Sequence, residues 1–65
     1  MRNEQVVACR RVFNAHPGIE ARLSGNVVTP VKDGVEGDPV TITDAMGAEA
    51  IRKALVGSIY RLENG

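Results

Sequence analysis

Apolar positions fall into distinct spacings along the chain, and each spacing predicts an element. Between Asp44 and Leu62, residues Ala48, Ile51, Leu55, Ile59 and Leu62 recur three and four apart, which stacks side chains on one face of an α-helix. A helix of about five turns follows, with Thr43 or Asp44 as its cap and Asn64-Gly65 at its other end. Such a stripe has to be buried, so the rest of the chain must supply the surface that receives it.

The segment Asn3 to Ala15 predicts a second helix. It places Val6, Cys9, Val12 and Phe13 on one side, with Asn3 as N-cap, Glu4 in the first turn, and Arg10, Arg11 and His16 toward the negative end of the helix dipole. Pro17-Gly18 stops it. The alternative is a strand, in which Val7, Cys9 and Phe13 share one face but Arg11 falls among them.

From Ile19 the period becomes two: Ile19, Ala21 and Leu23 alternate with Glu20, Arg22 and Ser24, the pattern of a strand with one wet face. Gly25-Asn26 gives the spacing of a tight hairpin into Val27–Val31. Pro30 has no N–H to donate, which confines it to an edge or a bulge. Lys32 to Pro39 reads as a loop, since Gly34 and Gly37 permit unusual backbone angles and Asp33 and Asp38 favour turns. Val40 to Thr43 makes a short third strand with Val40 and Ile42 on one face.

Assembled, residues 1–65 predict one small α+β domain: an N-terminal helix, a three-stranded antiparallel sheet and a long C-terminal helix, αβββα. If the first segment is a strand, the order becomes ββββα. The helix, three strands, helix order resembles, in topology alone, that of double-stranded-RNA-binding domains and of some small phage head-joining proteins. The RNA-binding domains open their second helix with a Lys-rich run, whereas here that end is Asp44-Ala-Met-Gly-Ala-Glu49, acidic and unsuited to phosphates. The likeness defines no family.

Composition sharpens the picture. A chain of 65 residues is near the lower size at which a domain folds unaided, and Phe13 and Tyr60 are its only aromatics, so the core lacks the usual large payload. Cys9 is alone, which excludes an intrachain disulfide and suits a reducing cytoplasm. No run is long enough to cross a bilayer, and Met1-Arg-Asn-Glu-Gln5 lacks the apolar stretch of a signal peptide. Eight basic residues balance eight acidic ones, but the signs are segregated. Arg2 to Lys32 holds five basic and two acidic residues; Asp33 to Glu49 holds five acidic and none basic. A dipolar molecule of this kind offers little to nonspecific nucleic-acid binding.

Candidate chemistry is sparse. Cys9 and His16 are the only soft metal ligands, and a structural zinc site needs about four. Cys9 on the apolar stripe reads as a core residue, and His16 lies two helical turns away, out of reach as its base. Asp33-Gly-Val-Glu-Gly-Asp38 places Val35 and Gly37 where a calcium loop needs oxygen ligands. The glycines fit no phosphate-cradling spacing. No catalytic, cofactor-binding or metal site and no small-molecule substrate is therefore expected.

One feature invites a partner. Opposite its stripe the final helix carries Met46, Ala50, Gly57 and Tyr60, with Ala54 at the edge and Arg61 beside them. Gly57 inside a helix costs about 1 kcal/mol against Ala, and small residues let a second helix approach, either the first helix or the same helix of another copy. The resulting expectation is a non-enzymatic protein-interaction module, a small cytoplasmic regulatory or assembly factor that forms a homodimer. The rival is a dimeric nucleic-acid-binding regulator that gathers Arg10, Arg11, Arg52 and Lys53 into one surface.

Overall fold

The computed structural model describes residues 1–65. Helix α1 spans Asn3–Asn14, strands β1 to β4 span Glu20–Ser24, Val27–Lys32, Val35–Glu36 and Val40–Thr41, and helix α2 spans Ala48–Asn64. The first segment is thus a helix, and the ββββα alternative does not hold. Strand β2 is central, pairing antiparallel with β1 on one side and with β3 and then β4 on the other.

Turn chemistry sets these registers. Gly25 has φ +60° at the first central position, the geometry of a type II′ turn, and it aligns Ser24 with Val27 and Glu20 with Val31. The second hairpin was hidden in what reads as a loop. Asp33 and Gly34 both have positive φ, 52° and 80°, as a type I′ turn requires, so Val35 and Glu36 return along β2. The third row of the sheet then breaks at Gly37-Asp38-Pro39 before resuming as β4. Pro30 lies opposite that break. Its carbonyl accepts a 2.7 Å hydrogen bond from the Gly37 N–H, and its missing donor falls where the ladder is interrupted, which is how a central strand tolerates proline.

Both helices share one layer. Helix α2 lies across β2 and β4, and α1 packs on α2. Ile51, Leu55 and Ile59 are fully buried among Val28, Ile42, Ala8, Cys9 and Val12, while Leu62 is half-buried and Ala48 exposed at the ends of the stripe. Ser58 is also buried, its hydroxyl donating to the Asp38 carbonyl at 2.6 Å.

Two helix starts differ from expectation. Arg2, not Asn3, is the N-cap of α1; its carbonyl accepts from the Gln5 and Val6 N–H groups, and the Gln5 side-chain oxygen accepts from the Arg2 N–H at 3.1 Å. Gln5 then spends its amide donors on the Thr43 and Met46 carbonyls, at 2.9 and 3.0 Å. Those bonds hold residues 43–46 as a turn, and α2 begins only at Ala48, with Gly47 extended as its N-cap. Neither Thr43 nor Asp44 caps it. Because Gln5 is buried in place of an apolar residue, the inward face of α1 runs Gln5, Ala8, Cys9, Val12, which leaves Val6 and Phe13 half-buried.

Candidate interaction surfaces

Strand β1 is exposed along its whole length. Alternation predicts a dry face of Ile19, Ala21 and Leu23, yet only Ile19 is buried, and Leu23 is 58 % exposed. The cause is architectural: the helix layer sits over β2 and β4, so β1 projects past it as a free edge. Between β1 and α1 runs a groove of about 240 Å³ whose lining includes Met1, Val6, Phe13, Ala21, Leu23 and Val28, with Arg10 among them. On the opposite face of the sheet, Arg22 reaches across β2 to bond Glu36, and Glu20, two residues away on the same face, makes no ion pair.

Of the residues predicted as an interaction face on α2, only Met46 lies outside the helix. Met46 precedes the helix and packs against the core; its sulfur accepts from the Thr43 N–H. Ala50 is exposed, Ala54 and Gly57 are half-buried, and Tyr60 is 66 % exposed. The first helix does not reach Gly57. A methyl group at Gly57 would meet only the Arg61 guanidinium, at 3.5 Å, and Arg61 itself bonds the Asp38 carboxylate at 2.7 Å.

Within one chain, only Arg11 and Arg52 of the basic residues Arg10, Arg11, Arg52 and Lys53 share a groove. Arg11 and Arg52 border a groove of about 460 Å³ between the two helices, shared with Glu49 and His16, whereas Arg10 lines the groove beside β1 and Lys53 lines neither. Two hydrogen bonds of 3.0 and 2.6 Å tie Arg52 to Glu49. They and the attraction of the opposite charges hold the Glu49 carboxyl below its ordinary pKa and raise that of Arg52.

Cys9 and His16 open onto different grooves. Burial pushes the Cys9 thiol above its ordinary pKa, more than a backbone hydrogen bond lowers it, the reverse of what a thiolate nucleophile requires. The His16 Nδ1 lies 2.7 Å from the Val12 carbonyl, so its N–H donates to the end of α1 as the helix-stopping reading predicts. In the acidic segment, Glu36 and Asp38 are each spent on an arginine. Sequence reasoning missed the edge position of β1, because pairing partners are set by the whole topology; the alternation Glu20-Ala21-Arg22-Leu23 was its only local signal.

No protein-family model matches the chain, and no curated protein or solved structure matches it significantly. No helix is long and apolar enough to cross a membrane.

Proposed function

We propose that the protein is a non-enzymatic protein-interaction module, a small regulatory or assembly factor of the cytoplasm that self-associates. The observation that carries this reading is β1: five consecutive exposed residues on a free sheet edge, beside an apolar groove. An edge of unpaired backbone groups next to apolar surface is a template for adding another strand, and exposed side chains such as Leu23 gain by being covered. Proteins ordinarily blunt such edges or use them.

Sedimentation equilibrium across a wide concentration range tests the proposal. The wild type is expected to show reversible association. Leu23→Glu is expected to weaken it by about tenfold or more, equivalent to about 1.4 kcal/mol, while Tyr60→Glu on the outer strip of α2 leaves it unchanged. A wild type that stays monomeric at every concentration overturns the reading, and loss of association in Tyr60→Glu alone moves the interface to α2.

A further inference from the structure

We infer that β1 pairs with β1 of a second copy, antiparallel about a two-fold axis through Ala21, extending one sheet across both chains with the helices of both on the same side. This inference rests on the self-association proposed above and specifies its geometry. The argument begins with the backbone. The two-residue turn makes Ser24 and Val27 a hydrogen-bonded pair, and pairs alternate along an antiparallel ladder, so Arg22 and Glu20 also direct their N–H and C=O groups toward β2. Ala21 and Leu23 direct theirs outward, to the free edge. A two-fold axis at Ala21 therefore makes Ala21 and the partner's Ala21 a hydrogen-bonded pair at the centre.

Side chains then choose the register. With the axis at Ala21, Glu20 stands directly opposite the partner's Arg22, and Arg22 opposite the partner's Glu20. These are the non-hydrogen-bonded positions, where opposing side chains are nearest. Shifting the axis to Arg22 sets guanidinium against guanidinium, and shifting it to Leu23 leaves both charges without an opposite. Charges on an edge strand normally obstruct pairing; the order acidic, small, basic converts them into a self-complementary code. Arg22 bonds Glu36 of its own chain across β2; in the dimer its flexible side chain turns back over β1 to the partner's Glu20, exchanging one exposed carboxylate for another. On the helix side, Leu23 meets the partner's Ile19 and closes the groove that leaves it exposed.

A charge-swap experiment decides the matter. Glu20→Arg alone and Arg22→Glu alone each put like charges opposite one another, and each is expected to weaken self-association by about tenfold or more. An equimolar mixture of the two variants is expected to restore a dimer at wild-type affinity, because each then presents the complement of the other. Restoration also shows that both variants are folded. Independently, Ala21→Cys in a Cys9→Ser background is expected to oxidise to a covalent dimer, since opposed Cα atoms about 5.5 Å apart lie within disulfide range, while Ser24→Cys in the same background does not. A wild type that dimerises but whose mixed variants stay apart, or in which Ser24→Cys links as readily as Ala21→Cys, overturns this register and leaves the self-association standing. A monomeric wild type overturns both.

Discussion

Gln5 is the residue on which the two ends of the fold meet. It is 2 % exposed and every polar atom of its side chain is used, the oxygen on the Arg2 N–H and the amide on two carbonyls beyond Ile42. Gln5→Met, nearly isosteric, is expected to lower unfolding free energy by about 1–3 kcal/mol through the acceptors it leaves unpaired, read from urea melts. Gln5→Glu is expected to cost more at neutral pH, since a carboxylate would face those carbonyls without a proton to share. Cys9 makes a pH prediction. Its thiol pKa is raised by burial, so above the ordinary thiol range, about 8.5, the unfolded chain releases a proton that the folded chain keeps. Stability therefore falls as pH rises through that window, and Cys9→Ala is expected to flatten the decline in melts collected from neutral to alkaline pH.

Among the elements, two half-buried glycines have opposite roles. At Gly57 an added methyl finds only ordinary contact with Arg61, so Gly57→Ala is expected to stabilise by several tenths to about 1 kcal/mol through helix propensity. At Gly37 the same methyl would lie 3.0 Å from the Pro30 ring and 3.3 Å from Leu62, where α2 closes on the broken row of the sheet. Gly37→Ala is expected to destabilise by about 1–3 kcal/mol, measured beside Gly57→Ala by thermal melting. Helix α2 was legible because Ile51, Leu55 and Ile59 bury at their predicted spacing, and the first hairpin because Gly25-Asn26 carries its own turn geometry. The start of α2 was not, because it is imposed from 38 residues away by Gln5. Strand β3 was hidden by its length: two residues show no period, and only the Asp33-Gly34 pair announced it. Which surface is left open was illegible for the related reason that exposure is a property of the assembled layers. Small residues on α2 and apolar residues on β1 cannot be ranked as surfaces until the helix layer has a position.

At the scale of the whole molecule, surface charge contributes little to holding the chain together: the four ion pairs, Arg2–Glu4, Arg22–Glu36, Arg52–Glu49 and Arg61–Asp38, are all exposed, where water and salt screen the attraction. The ends are held instead by the packing of α1 on α2 and by the Gln5 clasp, which has a consequence in time. Its bonds to Thr43 and Met46 join positions 38 and 41 apart, and closing so long a loop costs chain entropy before the contact returns anything. Hairpins and helix turns form locally within about microseconds, and on that ground the clasp is expected to close after the folding transition state, an order that a φ-value at Gln5 tests. Stopped-flow measurements on Gln5→Met are then expected to show a folding rate close to that of the wild type, and unfolding faster by about 5- to 30-fold for a loss of 1–2 kcal/mol. One buried amide would govern how long the folded molecule lasts, and hardly at all how quickly it forms.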